Sequence, residues 1–274
     1  MFDFPSYSID ILRTLPCFSP DLTFDCGQAF RWTRSEDGTW TAPVSGAIRK
    51  VRQVDENRFV FPGCSDEDFQ KFWVPYLNLQ LDYPSICESL CNDPTLCKAV
   101  RKYYGIRVLT QPFWETLATF IISSNNNIPR IRGIVDRLCQ TLGEPLAEGL
   151  FSFPSPERLA GCSAEDLVPL RAGYRVGYLL DAAEKVASGK VSGKRCKELP
   201  LQEAEAELRS IRGVGKKVAQ CVLLYSCGHM NAFPVDTWVT KVMAEHYPNG
   251  LPECAKGVEG IAQQYLFHWI RMIT

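Results

Sequence analysis

Two side chains in the C-terminal half of the sequence, Lys217 and Asp236, have the types and the setting that bond cleavage at a sugar carbon requires. Lys217 lies in RGVGKKVAQC, at the start of a predicted helix over 215–227, where the positive end of the helix macrodipole favours the free amine of a nucleophile. Asp236 ends FPVD and begins a predicted helix over 236–247, where a carboxylate caps free amides and stays ionised. Such a carboxylate stabilises positive charge on a sugar while an amine attacks the sugar carbon. The pair predicts cleavage of a glycosidic bond, although each residue alone also fits a surface lysine or an ordinary helix cap.

Gly213 and Gly215 form the turn between a predicted helix over 201–211 and the helix that carries Lys217. Glycine permits positive φ and leaves the backbone unshielded, so amides at the start of the second helix can bind a DNA phosphate. Carbonyl groups of the same hairpin could hold a structural monovalent cation that bridges to a phosphate. Lys216 points about 100° away from Lys217 and is expected to face solvent or the DNA backbone. A purely structural turn between two helices remains an alternative.

The elements that must position these residues indicate an α+β fold. Aromatic and β-branched segments from GQAFRWTR to NRFVFP predict an antiparallel sheet, with a hairpin at Asp37-Gly38. From about residue 66 the apolar period is helical, and Ser163 with Asp166 predicts a capping box. We therefore expect an N-terminal sheet domain with flanking helices over 1–98, packed on a helical domain over 99–274 whose hairpin spans about 201–227. Further predicted helices are QPFWETLATFIISS, IPRIRGIVDRLCQTLG, 174–188 and 258–273.

Composition restricts the class of protein. The 274 residues carry a net charge of -1, so a nucleic-acid site must be a local basic patch, although basic runs are also ordinary solvated helix faces. The 12 cysteines are scattered without paired CxxC spacing, which favours reduced thiols over disulfides or zinc. MFDFPSYSID lacks the basic region of a signal peptide and no apolar run approaches a membrane span, so an intracellular protein is expected. The candidate basic residues are Arg130, Arg132, Arg137, Lys194, Arg195, Lys197, Arg209, Arg212, Lys216 and Lys217.

Several motifs in a fixed order make the pattern specific. GQAFRW, SSNNNIPRI, GYRVGYL, RGVGKKVAQC, FPVD and AQQYLF together resemble the helix-hairpin-helix, Gly/Pro-Asp superfamily of DNA glycosylases and, within it, the 8-oxoguanine DNA glycosylase family. The resemblance implies a monomeric bifunctional enzyme of base excision repair that binds duplex DNA, without a redox cofactor or catalytic metal. It implies excision of 8-oxoguanine opposite cytosine through a lysine Schiff base, followed by β-elimination. The location would be the cytoplasm or nucleoid of a prokaryote, or the nucleus of a eukaryote.

The resemblance assigns a role to each matching residue of the base pocket. Lys217 matches the Schiff-base lysine and Asp236 the catalytic aspartate. Cys221 and Phe267 match the residues that sandwich the extruded base, and Gln263 matches the one that binds its pairing edge. Gly27 matches the glycine whose carbonyl accepts the N7 hydrogen that only the oxidised base carries. Lys217 with Cys221, and Gln263 with Phe267, are each one helical turn apart, in agreement with these roles.

A second set of residues resembles those that contact DNA around the extruded nucleotide. Asn125, Arg130, Tyr174 and Arg175 match residues that fill the vacated gap and contact the orphaned cytosine, in keeping with their preference for base edges and base steps. Two positions depart from the family pattern. Trp238 stands where vertebrate-type members have a histidine near a phosphate, and Pro129 interrupts the asparagine-arginine segment.

Other functions agree less well with the sequence. Iron-sulfur endonucleases of the same superfamily need four closely spaced cysteines after the aspartate, whereas only Cys254 follows Asp236 here. Adenine-removing and alkylation-repair relatives usually lack the lysine that Lys217 supplies. A non-catalytic DNA-binding module would leave Lys217, Asp236 and the base-pocket residues without a shared purpose, and a thiol redox or metal protein would use only the cysteines.

Overall fold

The computed structural model describes residues 10–273, so the part of the predicted N-terminal domain before residue 10 and Thr274 lie outside the described residues. Its strands are β1 (Ile11–Thr14), β2 (Thr33–Arg34), β3 (Trp40–Val44), β4 (Ala47–Gln53) and β5 (Arg58–Phe61). They form an antiparallel sheet in the order β1-β5-β4-β3-β2. The predicted α+β fold is confirmed.

Local sequence explains most of the sheet. The predicted Asp37-Gly38 hairpin joins β2 to β3, with Gly38 at φ +83° and the Asp37 carboxylate accepting from the Thr39 amide at 3.0 Å. In GQAFRWTR the prediction of a strand was too long, because only Thr33–Arg34 pairs with β3. Gln28 lies in the unpaired part of that segment, and its side chain binds the backbone of Arg107 and Leu109.

Most of the regular structure in the rest of residues 10–273 is helical. Around the sheet lie α1 (Pro20–Phe24), α2 (Asp66–Asp68) and α3 (Val74–Tyr76), with a π-helical turn over Phe69–Trp73. The helical body contains α4 (Tyr83–Leu90), α5 (Pro94–Lys102), α6 (Phe113–Ser123), α7 (Ile128–Leu142), α8 (Pro156–Ala160), α9 (Arg175–Ala187), α10 (Gly193–Glu198), α11 (Leu201–Arg209), α12 (Lys216–Cys227), α13 (Thr237–His246) and α14 (Glu259–Ile273). The predicted helices over 174–188, 201–211, 215–227, 236–247 and 258–273 are present to within about two residues.

Two apolar clusters underlie this arrangement. An aromatic cluster beneath the sheet includes Phe24 stacked on Trp32, whereas α4 to α14 share a separate, larger core. The predicted boundary between 1–98 and 99–274 falls inside α5, and α4 and α5 both pack in the helical core. The sheet therefore lies on a body to which residues from about 83 onward contribute.

Three further predictions concern local features. The capping box forms, because Ser163 and Asp166 exchange hydrogen bonds, but only a turn and a short 3-10 helix follow it. All 12 cysteines are unpaired thiols. Within residues 10–273, no helix is long and apolar enough to cross a membrane, and no group of three or more His, Cys, Asp or Glu side chains could hold a metal ion.

Candidate active site

A cleft of about 780 Å³ opens where α12, α13 and α14 meet the segment that contains Gly27. Lys217 and Asp236 face it from α12 and from the start of α13, and Phe267 faces it from α14. A smaller inner recess reaches Cys221 and Gln263 as well. The structure thus brings together all six residues predicted for chemistry and base recognition, which are Gly27, Lys217, Cys221, Asp236, Gln263 and Phe267.

Asp236 is the N-cap of α13. One oxygen of its carboxylate accepts hydrogen bonds from the backbone amides of Trp238 at 3.0 Å and Val239 at 2.8 Å. Pro234 precedes it in an irregular segment that delivers the half-buried carboxylate to the cleft wall. Helix amides hold one oxygen in place, so the other oxygen is fixed at the cleft wall and available to a developing cation.

Lys217 is the second residue of α12, after the N-cap Gly215, which has no side chain to occupy the helix terminus. Its ammonium nitrogen lies 5.2 Å from the centroid of the Phe120 ring, and the side chain is half-buried. No carboxylate of the described residues forms an ion pair with it. The amine is therefore free to approach a substrate in the cleft.

Cys221 and Gln263 form the inner end of the recess. Burial raises the pKa of the Cys221 thiol, and the Lys217 charge opposes that effect only in part, so the residue is an apolar thiol at neutral pH. Gln263 is 4% exposed, and its side-chain oxygen accepts from the Tyr225 hydroxyl at 3.5 Å. These two side chains offer a flat apolar contact and a polar edge, as a planar heteroaromatic base requires.

Gly27 adopts φ +85°, in the left-handed region that favours glycine. A Cβ at this position would lie 3.3 Å from Cε1 of Phe267, so a side chain here would crowd the ring. Buried amides hold the segment: Gln28 donates to the Arg107 carbonyl at 2.7 Å and accepts from the Leu109 amide at 2.9 Å. Gln264 of α14 donates to the Cys26 carbonyl at 3.1 Å. The glycine backbone is thus fixed against the helix that carries Phe267.

The residues predicted to contact DNA divide into two groups. Asn125 lines the cleft with φ +48°, Tyr174 is 56% exposed, and Arg130 is exposed at the start of α7. Arg175, by contrast, is 2% exposed and donates to the backbone carbonyls of Ser124 and Asn125. In this conformation Arg175 supports the Asn125 loop from beneath, and the other three present their side chains or backbone outward.

The hairpin glycines differ from each other. Gly213 has φ +79°, and a Cβ there would lie 2.2 Å from the ring of Tyr178. Around Gly215 no atom lies within 4 Å of a Cβ position, so its backbone is open. Lys216 is exposed, as predicted from its position on the helix. The first glycine therefore serves packing and conformation, and the second leaves the amides at the start of α12 accessible.

Comparison with known proteins decides the family. A family model described as 8-oxoguanine DNA glycosylase, N-terminal domain, matches residues 11–117, and one described as HhH-GPD superfamily base excision DNA repair protein matches residues 118–261. The N-glycosylase/DNA lyase of Saccharomyces cerevisiae is 32% identical over 248 residues, which cover 81% of this chain and 66% of the yeast protein. The chain belongs to the 8-oxoguanine DNA glycosylase/lyase family of the HhH-GPD superfamily.

Other members of this family agree. The N-glycosylase/DNA lyase OGG1 of Arabidopsis thaliana is 30% identical over 85% of this chain and 67% of its own length, so the chain spans about two thirds of these two relatives. The Clostridium acetobutylicum 8-oxoguanine glycosylase/lyase, solved in complex with dsDNA containing cytosine opposite 8-oxoG, has a TM-score of 0.90 at 32% identity, with 96% of both chains covered. The family that the motifs predicted is confirmed.

Three cleft residues of this glycosylase had no predicted role in the cleft. Phe120 lies under Lys217 and stacks on Tyr225, with ring centroids 5.4 Å apart. Its sequence signal was only that of a buried helix. Trp238, noted as a departure from the family pattern, lines the cleft beside Asp236. Arg271 also lines it, one turn after Phe267 on α14, and this spacing is the signal that could have revealed it.

Proposed function

We propose that the chain excises 8-oxoguanine opposite cytosine from duplex DNA and then cleaves the abasic strand. The observation that carries the proposal is the convergence on one cleft of a lysine without a carboxylate partner among the described residues, a fixed carboxylate and the recess lined by Cys221, Gln263 and Phe267. Family membership supports the same reaction class, since relatives are named N-glycosylase/DNA lyase. We further propose that the protein acts as a monomer on DNA inside the cell.

In the proposed first step the Nζ atom of Lys217 attacks C1′ of the extruded nucleotide. The bond from C1′ to the base nitrogen breaks, and the base leaves with the electron pair and takes up a proton. Asp236 stabilises the positive charge that develops on the sugar, at a distance that its two amide hydrogen bonds keep fixed. Opening of the sugar ring gives an imine between Lys217 and C1′.

The imine then makes the second step possible. It acidifies the hydrogens at C2′, so loss of one proton and expulsion of the 3′ phosphate cleave the strand by β-elimination. Hydrolysis of the imine releases Lys217. No redox cofactor takes part in this scheme, and the monovalent cation expected at the hairpin remains a prediction.

Borohydride trapping tests the nucleophile. Reduction of the imine should link the protein covalently to duplex that contains 8-oxoguanine opposite cytosine, and Lys217→Gln should abolish the adduct. Lys216→Gln is the matched control, because it removes the same charge from the adjacent, exposed position. Adduct formation by Lys217→Gln at the parent level would show that another residue attacks the sugar.

A comparison of DNA affinity with the rate of excision distinguishes a catalytic role of Asp236 from a role as a helix cap alone. Asp236→Asn keeps an oxygen that can accept from the Trp238 and Val239 amides but removes the charge. We expect single-turnover excision to fall far more than affinity for the lesion duplex. Equal losses in both would indicate a structural cap alone. Cleavage assays with each of the four bases opposite the lesion test the selection of cytosine.

A further inference from the structure

One face of α14 carries three side chains into the cleft region at intervals of four residues. Gln263 reaches the inner recess, Phe267 lines both recess and cleft, and Arg271 lines the cleft at the outer end. Residues four apart on a helix lie one above the other, so the three form a continuous stripe. The first two match base-contacting residues of the family, whereas the third has no assigned role.

Arg271 is placed against the recognition glycine. Its Nη1 atom lies 3.4 Å from the position of a Cβ on Gly27, and the guanidinium carbon lies 5.4 Å from the centroid of the Phe267 ring. Nη1 is shielded from solvent and has no hydrogen-bond partner among residues 10–273. No described carboxylate forms an ion pair with this guanidinium. A charged donor is thus held, unused, between Gly27 and Phe267.

A buried donor without an acceptor costs free energy, which a ligand acceptor at the same place would recover. The extruded base offers such acceptors. In 8-oxoguanine the N7–H group is flanked by two carbonyl oxygens, one on C6 and one on C8. If the Gly27 carbonyl accepts from N7–H, an adjacent donor would face one of the flanking oxygens.

We propose that Arg271 donates a hydrogen bond to a carbonyl oxygen beside N7 of the extruded base, and so contributes to lesion specificity. The inference rests on the proposed function of the cleft. The base is a better acceptor for Arg271 than a DNA phosphate, because Nη1 is buried at Gly27 whereas phosphates of a bound duplex remain near solvent. The guanidinium also lies in cation-π contact with Phe267, and its planar array of donors suits an acceptor in the plane of a neighbouring base better than an ammonium group does.

The test compares two substrates that differ by the base alone. Arg271→Met removes the donor at similar length, and Arg271→Lys retains a charged donor. Single-turnover excision is measured on duplex with 8-oxoguanine opposite cytosine, and strand cleavage on the same duplex with a preformed abasic site. We expect Arg271→Met to lose about 10- to 100-fold on the first substrate, in line with a lost charged hydrogen bond, and to keep parent cleavage of the second. Arg271→Lys should lose less than Arg271→Met.

Other outcomes overturn the inference. Losses on both substrates, with a salt dependence of binding that is weaker by about one phosphate contact, would make Arg271 a phosphate ligand. Losses on both without a change in salt dependence, or a loss as large for Arg271→Lys as for Arg271→Met, would make it structural. Parent-level excision by Arg271→Met would remove any role. If the parent protein itself does not excise 8-oxoguanine, the proposed function fails instead.

Two controls complete the experiment. Arg58→Met removes an exposed arginine from the sheet and should leave both reactions unchanged. Excision of 8-oxoadenine identifies the acceptor, because it keeps the C8 oxygen and carries an amino group in place of the C6 oxygen. A loss by Arg271→Met on both oxidised bases assigns the C8 oxygen, and a loss on 8-oxoguanine alone assigns the C6 oxygen.

Discussion

The guanidinium of Arg175 donates from Nη2 to the backbone carbonyl of Asn125 at 3.0 Å, and it also binds the adjacent carbonyl of Ser124. Asn125 has φ +48°, in the left-handed region that asparagine tolerates better than other L-residues except aspartate. A buried arginine from the first turn of α9 therefore holds two successive carbonyls of the loop that lines the cleft. The sequence motifs predicted that both residues contact DNA. In the structure Arg175 is buried behind Asn125 and supports its loop.

Arg175→Gln should therefore destabilise the protein. It removes charged hydrogen bonds from a buried guanidinium to the backbone carbonyls of Ser124 and Asn125, so we expect the free energy of unfolding to fall by about 1–3 kcal/mol, measured by urea denaturation. Arg130→Gln is the control, because Arg130 is exposed and should change stability by no more than about 0.5 kcal/mol. If Arg130→Gln is the more destabilising of the two, the supporting role of Arg175 is contradicted.

Gly27→Ala should impair excision rather than folding. The new Cβ would lie 3.3 Å from the Phe267 ring and narrow the pocket. The alanine would also have to adopt φ +85°, which adds strain of about 1 kcal/mol. We expect excision of 8-oxoguanine to fall by at least about tenfold, since displacements of about 1 Å have effects of this size or larger. Gly63→Ala imposes similar strain at φ +68° with no atom within 4 Å, and should lose stability but not activity. Equal activity of the two variants would show that the pocket tolerates a side chain at Gly27.

The hairpin glycines give a matched pair. In Gly213→Ala the Cβ would overlap the Tyr178 ring, and the alanine backbone would have to adopt φ +79°. We therefore expect a loss of about 2–3 kcal/mol in the free energy of unfolding. Gly215→Ala meets no atom within 4 Å, and should cost less than about 1 kcal/mol while weakening the binding of undamaged duplex several-fold. Unchanged DNA affinity of Gly215→Ala would argue against phosphate contact at that backbone.

Part of the site follows from sequence motifs and local helix geometry, and part depends on contacts distant in the chain. The resemblance of the motifs supplied Cys221, Gln263 and Phe267, and helical spacing agreed by placing Lys217 with Cys221 and Gln263 with Phe267 on shared helix faces. Asp236 could be predicted as a cap because it is a carboxylate directly before a helix. The short strand at Thr33–Arg34 could not be predicted, since Gln28 turns the preceding segment toward Arg107 through contacts distant in the chain. The inward direction of Arg175 likewise depends on carbonyl groups 50 and 51 residues away, which no local pattern encodes.

His268, on α14, makes the free energy of unfolding of the protein dependent on pH. Its ring is 5% exposed, packs edge-on against Tyr103, and has no hydrogen-bond partner for Nδ1 among the described residues. Burial, and secondarily the charge of Arg271, lower the pKa of His268 to about 4 from its usual 6.5. Between these values the unfolded chain takes up a proton that the folded chain does not, so stability falls as the pH drops from 6.5 toward 4.

Replacement of this histidine should remove that dependence. By linkage the shift corresponds to a stability loss on the order of 3 kcal/mol at pH 4, of which part is already present at pH 5. His268→Gln should be less stable than the parent at pH 7.5, because the packing against Tyr103 is lost. The difference should shrink or reverse by pH 4.5, because glutamine does not titrate. Urea denaturation at both pH values measures it, and a difference that stays constant would show that His268 takes up its proton equally well in the folded chain.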